Sequence, residues 1–77
     1  MNKQLEILEA NNILATDKLI NERERLQKEI DLATVNGTSF RDLYPERQQL
    51  IQLDMRIEGL RQYRYGLQDA MEILNNE

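Results

Sequence analysis

One short segment in the second half of the chain carries the side chains best suited to bind a ligand. It reads Arg61-Gln62-Tyr63-Arg64-Tyr65. Interleaved basic and aromatic residues can hold phosphates and stack on bases, which makes Arg61, Tyr63, Arg64 and Tyr65 candidate contacts for an anionic ligand. On a helix, however, consecutive residues point around the whole axis. We therefore favour the alternative that Tyr63 flanks a helix interface and Arg61 is a solvated charge.

Other catalytic and metal-binding chemistry lacks the residues that it needs. The chain contains no His and no Cys, which excludes Cys–His and Ser–His nucleophiles and thiolate metal sites. Glu6 with Glu9, and Glu22 with Glu29, share predicted helix faces, but carboxylate dimetal sites in helical bundles also use His ligands. The three glycines are isolated, so no phosphate-binding loop is present. We expect no catalytic residue, no metal and no cofactor, and we predict that the protein is not an enzyme.

The composition is typical of a small helical protein. Seventy-seven residues predict a single domain, at a size where one hydrophobic core is only marginally stable. The 10 basic and 14 acidic residues are spread evenly along the chain, so no basic face is expected and no nucleic-acid partner is favoured. No apolar run approaches the roughly 20 residues of a membrane span. We therefore expect no membrane association and a cytoplasmic location.

Two long helices are predicted, because helix-forming residues dominate and the chain has one Pro and three Gly. The first helix covers about residues 3–36 and ends at Asn36-Gly37, where glycine can take the left-handed conformation of a C-terminal cap. A connection covers about 37–44, in which Thr38 or Ser39 can cap a single helical turn. The second helix covers about 45–75 and begins at Pro45, a residue favoured in the first helical turn.

The first helix has one weak point, at Asn11-Asn12. Two asparagines could end a short helix there, and Thr16 or Asp17 could cap a second one. Ile13 and Leu14 nevertheless continue the apolar pattern across the gap. A continuous helix is the favoured interpretation.

Matching apolar stripes predict an all-α fold, an antiparallel two-helix hairpin that resembles a coiled coil. The first stripe comprises Leu5, Leu8, Ala15, Leu19, Leu26, Ile30 and Ala33. The second comprises Leu50, Leu53, Ile57, Leu60, Leu67, Met71 and Leu74, interrupted by Arg64. If the turn is centred near residue 41, the numbers of facing residues sum to about 82. Ile30 then faces Leu53, and Leu26 faces Ile57.

Two polar residues interrupt these stripes. The predicted register places Asn12 near Met71. It places Arg64 one turn from both Asp17 and Glu22, which are candidate partners for its guanidinium group. A polar group in a helix interface can fix the register of the helices, whereas the alternative is that Arg64 extends to the edge of the interface and pairs at the surface.

Several apolar residues and two glycines lie outside the predicted interface. The interface candidates are Ile7, Leu14, Met55, Gly59, Gly66 and Ile73. Gly59 and Gly66 share one helix face, which suggests that another backbone approaches there. A second group, Phe40, Leu43 and Tyr44, forms a candidate recognition tip in the connection or plugs the end of the bundle. Because exposed apolar patches usually mark interaction sites, we expect dimerisation to a four-helix bundle, or a partner protein that supplies the missing helices.

The predicted function is a small protein–protein interaction module, such as a phage or mobile-element accessory protein that binds and inhibits a host protein. The alternatives are a secretion or assembly chaperone and a nucleic-acid or nucleotide-binding helical dimer. In architecture, the predicted hairpin is similar to small dimeric RNA-binding regulators of plasmid copy number and to the two-helix co-chaperones of type III secretion needles. That similarity involves no sequence motif and assigns no role to any residue.

Overall fold

Two antiparallel helices make up the regular structure of the chain. The computed structural model describes residues 3–76, in which helix α1 covers Lys3–Val35 and helix α2 covers Tyr44–Asn75. The hairpin measures 59 × 15 × 13 Å. These observations confirm the prediction of an all-helical hairpin, and α1 passes through Asn11-Asn12 without a break, as favoured from the sequence.

The chain reverses direction through a short, hydrogen-bonded connection. The Thr38 N–H donates to the Ala33 carbonyl at 2.9 Å, and the Gly37 N–H donates to the Thr34 carbonyl at 3.1 Å. With Gly37 at φ +94°, this is a Schellman motif, which satisfies carbonyls that the end of α1 would leave without partners. Of the two predicted capping residues, Thr38 and Ser39, it is Ser39 whose Oγ accepts a hydrogen bond from the Asp42 N–H, at 3.2 Å.

The hydrophobic core lies in the half of the hairpin near the connection. Its buried residues are Leu19, Leu26, Ile30, Leu43, Leu53 and Ile57, with Ile20, Ala33, Leu50 and Leu60 packed around them. Burying a side chain of this size contributes about 1.5–3 kcal/mol. Leu67 is also buried but lies outside this cluster. The end of the hairpin that carries the chain termini is therefore less well packed than the end at the connection.

The predicted register of the two helices is wrong by nearly two helical turns. Asn12 bonds Arg64, and Arg23 pairs with Asp54, so the numbers of facing residues sum to about 76 rather than 82. A shift of close to seven residues returns a heptad pattern almost onto itself. The apolar stripes therefore match nearly as well in either register, and the choice between them depends on the polar residues.

The observed register also changes which residues of α1 face α2. Thr16 is buried and Ala15 is exposed, whereas the predicted stripe contained Ala15. The Thr16 hydroxyl donates to the Asn12 carbonyl at 2.7 Å, so burial leaves its proton satisfied. Leu8 and Leu74, which were also predicted to face the partner helix, are exposed.

Candidate interaction surfaces

A small polar cluster separates the main core from the terminal half of the hairpin. Asn12 is 5% exposed and Thr16 is 2% exposed. The Asn12 side-chain amide donates to the Leu60 carbonyl at 2.8 Å, and its Oδ1 accepts from the Arg64 Nε at 2.8 Å. Because Asn12 bonds two groups of α2 at once, it ties both helices to one register.

The environment of Arg64 differs from the prediction. Asp17 and Glu22 were its expected partners, but the Arg64 Nε donates to Asn12 instead. The register explains this difference, because Arg64 lies beside a part of α1 that is about two helical turns closer to the N-terminus than predicted. Asn12 correspondingly faces Arg64 rather than Met71. The prediction that polar residues interrupt the interface is correct. The hydrogen bond between Asn12 and Arg64 was not predicted.

Apolar exposure is concentrated at the terminal end of the hairpin. Within residues 3–15 and 63–76, the exposed large apolar residues are Ile7, Leu8, Ile13, Leu14, Tyr63, Tyr65, Ile73 and Leu74. In the same ranges, Leu67 is the only large apolar residue that is buried. Helices with apolar residues on several sides are usually covered by other helices. This half of the hairpin therefore leaves large apolar side chains exposed on more than one side.

Within residues 3–76, one face of this half contains no charged residue. The face begins at Ala15 and Gly59, which line the end nearer the termini of a groove of about 490 Å³ whose other end is lined by the charged residues Lys18, Glu22 and Arg56. Steps of three, four or seven residues toward the termini stay on the same side of each helix. They define a surface, here called the distal face, that comprises Gln4, Leu8, Asn11 and Ala15 of α1 with Gly59, Tyr63, Gly66, Ala70 and Ile73 of α2.

The absence of charge on the distal face contrasts with its surroundings. Charged residues make up 31% of the chain, yet none occupies these nine positions. Toward the connection, the same side of the hairpin carries Lys18, Glu22, Arg25, Glu29 and Arg56. The groove on the opposite side is lined mostly by charges, namely Arg23, Glu24, Asp54, Glu58 and Arg61. Depletion of charge marks the centre of protein–protein interfaces.

The distal face combines large apolar side chains with very small residues. Tyr63 is 54% exposed and Ile73 is 63% exposed. A Cβ atom added at Gly59 or Gly66 would meet no heavy atom within 4 Å in the described part of the chain. Both glycines therefore leave shallow depressions beside protruding side chains, into which side chains of another helix can fit.

The interface candidates predicted from the sequence do not share one surface. Gly59, Gly66 and Ile73 belong to the distal face. Leu14 lies two residues from both Asn12 and Thr16, which face α2, so it points away from α2. Ile7 lies one heptad before Leu14, on the same outer side of α1. Met55 has the same relation to Leu53 and Ile57 and lies on the outer side of α2.

The candidate tip residues have two different environments. Leu43 is buried in the core, where it closes the end of the hairpin. Phe40 is 71% exposed, and Tyr44 is also exposed. The Arg47 guanidinium lies 3.3 Å from the centre of the Phe40 ring, a cation–π contact that holds the exposed ring against α2.

The candidate contacts for an anionic ligand are distributed over three environments. Arg64 is bonded to Asn12 inside the helix interface. Arg61 lines the charged groove beside Asp54 and Glu58, and Tyr65 follows Arg61 by one turn. Tyr63 lies on the distal face, on the opposite side of the hairpin from the charged groove. The structure therefore does not bring these four side chains together.

One ion pair joins the helices at the surface. The Arg23 Nε donates to Asp54 Oδ1, and this hydrogen bond, with the negative charge of Asp54, raises the pKa of Arg23 above its usual value. Arginine is already charged at any physiological pH. Because the pair is open to solvent, it contributes little to stability, but it lies in the same register as the Asn12–Arg64 hydrogen bond.

The members of the distal face that sequence reasoning missed are mainly small or uncharged polar residues. Asn11 and Ala70 carry no strong signal by themselves, and Leu8 and Ala15 were assigned to the interface between the helices. Their common property, the absence of charge over two adjacent helix faces, becomes visible only with the correct register. A search for uncharged positions at heptad spacing would have found them.

In comparisons with known proteins, no family model, no curated protein and no solved structure matches the chain. Neither helix in the described range is long and apolar enough to cross a bilayer. Among residues 3–76, no three acidic side chains are grouped as they would be around a metal ion.

Proposed function

We propose that the protein is a non-enzymatic interaction module that binds helices of another polypeptide through its distal face, completing a four-helix bundle. The observation that carries the proposal is the distal face itself, a set of nine uncharged positions on adjacent faces of the two helices, in a highly charged chain. In water, a hairpin gains from covering such a surface, since each square ångström of buried apolar area contributes about 25 cal/mol.

The packing of the hairpin supports the same proposal. The main core ends near Leu19 and Ile57, and beyond it the two helices are joined by the polar cluster around Asn12 and by Leu67. A helix–helix interface of this kind is stabilised further when a second pair of helices covers it. The terminal half is therefore the part of the molecule that gains most from a partner.

The proposed mechanism is the covering of a surface. The partner buries the protruding Tyr63 and Ile73 and places its own side chains over Gly59 and Gly66, while the charged remainder of the hairpin stays in water. An inhibitor of a host protein and an assembly chaperone would both use this mechanism. The alternative of a nucleic-acid ligand gains no support, because Arg61 lies among carboxylates and Arg64 is bonded to Asn12.

Thiol labelling tests whether the distal face is occupied. The natural chain has no cysteine, so A70C places a single thiol on the distal face, and Q62C places one on the outer side of α2 as a matched control. Because Ala70 is half-buried in the hairpin itself and Gln62 is exposed, each maleimide labelling rate is divided by the rate of the same variant in dilute, monomeric protein. We expect this normalised rate to be about tenfold lower for A70C than for Q62C, either in concentrated purified protein or in an extract of the source cells, because the labelling rate follows the population of the open form. Equal rates under all these conditions would refute the proposal.

A further inference from the structure

We infer that the helices covering the distal face are those of a second copy of this chain, arranged antiparallel and overlapping only along the terminal halves, with the two-fold axis passing beside Gly66. This inference rests on the proposed function, because it names the occupant of the same surface. In this arrangement the two connections point away from each other.

The first argument is that both strips of the distal face share one midpoint. The α2 strip extends from Gly59 to Ile73 and is centred on Gly66. Facing residues of the hairpin have numbers that sum to about 76, as Asn12 and Arg64 show, so Gly66 lies level with residue 10 of α1. The α1 strip, from Gln4 to Ala15, is centred between residues 9 and 10. A single two-fold axis perpendicular to the helices therefore maps both strips onto themselves, as an isologous interface requires.

The second argument is the shape of the face under this rotation. On α2, the rotation places Gly59 opposite Ile73 of the other copy, and it places Tyr63 opposite Ala70. Gly66 meets Gly66. Each large side chain of the strip thus meets a small residue, and the helices can approach most closely at the axis, where neither copy has a side chain. Complementary size is what close packing of two helices needs.

On α1 the same rotation pairs Gln4 with Ala15, and Leu8 with Asn11. The first of these pairs again joins a long side chain with a small one. No charged residue of the distal face meets another charged residue, because the face contains none. The interface is therefore free of the desolvation penalty that buried charges carry.

The third argument is electrostatic. The rotation brings Arg56 level with residue 76 of the other copy, at the C-terminal end of α2. That end carries a partial negative charge, and the last turn of α2 contains no basic residue of its own. The two Arg56 side chains thus supply the cations that the two helix ends lack.

The competing arrangement, with both connections at the same end, is disfavoured by charge. It would extend the contact along the whole hairpin and place Glu22, Arg25, Glu29 and Arg56 between the two copies. Taking charges out of water is expensive unless each is fully paired and hydrogen-bonded. In the antiparallel overlap these four residues lie beyond, or at the edge of, the contact and remain hydrated.

Disulfide formation tests the position of the axis. A disulfide requires Cα atoms within about 7 Å, which two copies of residue 66 satisfy beside the axis. We expect G66C to oxidise to a covalent dimer with at least about tenfold higher yield than Q62C, whose thiol lies on the outer side of α2. If G66C forms no disulfide with itself but does so when mixed with N11C, the copies are parallel and the inference is wrong.

A second measurement leaves the distal face unchanged. Fluorescent dyes attached to T38C report the separation of the two connections. Thr38 lies 28 residues along the chain from residue 10 of α1, which is level with the axis. At 1.5 Å per residue on each side of the axis, the antiparallel overlap places the two dyes roughly 80 Å apart, so we expect almost no energy transfer in the dimer. Efficient transfer would contradict the inference.

The two proposals can fail separately. If the purified protein is monomeric at every concentration while A70C is protected in the cell extract, the face binds a different protein, and the second copy is excluded although the proposed function stands. If the purified protein is monomeric and A70C is unprotected everywhere, both proposals are wrong.

Discussion

Asn12 and Arg64 are hydrogen-bonded across the two helices, with the Arg64 Nε donating to Asn12 Oδ1 at 2.8 Å. Asn12 also donates to the Leu60 carbonyl at 2.8 Å. A slip of the helices by one heptad would preserve most apolar contacts but would place Asn12 against Met71 and leave its amide without partners. The polar cluster therefore selects between two registers that the apolar stripes do not distinguish.

Removal of the Asn12 side chain should destabilise the hairpin. N12A removes both hydrogen bonds from Asn12 to α2 and leaves the Arg64 guanidinium without this partner in a partly buried interface. We expect a loss of about 1–3 kcal/mol in the free energy of unfolding. The measurement is urea denaturation followed by circular dichroism. N21A, on the exposed outer side of α1, should change the free energy by less than about 0.5 kcal/mol. Equal effects of the two substitutions would show that the cluster does not stabilise the fold.

Replacement of both Asn12 and Arg64 by leucine should preserve stability but relax the register. Exchanging a buried polar pair for apolar residues is often neutral or stabilising, and the slipped register then becomes competitive. Cysteine pairs report the register. R23C with D54C should form a disulfide in the native register, and R23C with R61C, one heptad further along α2, in the slipped one.

In the double leucine background, we expect the R23C/R61C disulfide to appear. In the natural background, R23C/D54C should be the only one of the two pairs that oxidises. A double leucine variant that still oxidises only the R23C/D54C pair would show that the connection, rather than the polar cluster, fixes the register.

The local features of the fold could be predicted from the sequence, whereas the register could not. Gly37 and Pro45 mark the ends of the helices because each has a specific backbone preference. The register depends on the bonds among Asn12, Leu60 and Arg64, which are long-range and involve a main-chain carbonyl that no sequence pattern reveals. The distal face depends on the register in turn, because its α1 and α2 strips share a midpoint only when the helices are correctly aligned.

Two glycine substitutions should change stability in opposite directions. Gly37 has φ +94°, so G37A forces an L-residue into the left-handed region and should cost about 1–2 kcal/mol. Gly59 lies inside α2 with no heavy atom within 4 Å of an added Cβ in the described part of the chain, so G59A should stabilise the helix by up to about 1 kcal/mol. Thermal unfolding of dilute protein, at concentrations where the chain is monomeric, measures both. A loss of stability in dilute G59A would contradict the exposed position of Gly59.

The two hydrophobic residues of the connection should differ in their effect on folding. L43A removes a buried side chain from the core and should cost about 2–5 kcal/mol. F40A removes an exposed ring whose main contact is the Arg47 guanidinium, an interaction of about 0.5–1 kcal/mol at exposed sites. Urea denaturation of the two variants compares them directly. A larger loss in F40A than in L43A would mean that the connection packs differently in solution.

The most direct test of the proposed association surface is the molar mass in solution of G66L, measured by light scattering over a range of concentrations. A Cβ atom added at this position meets no heavy atom within 4 Å in the described part of the chain, and leucine favours the helix, so folding of the hairpin should be unimpaired while close approach of a second copy is blocked. Q62L, on the outer side of α2, is the matched control. We expect the natural protein and Q62L to reach twice the 9.2 kDa of one chain and G66L to remain at the mass of one chain. A natural protein that stays monomeric, or a G66L variant that associates as the natural protein does, would contradict a homodimer formed through the distal face.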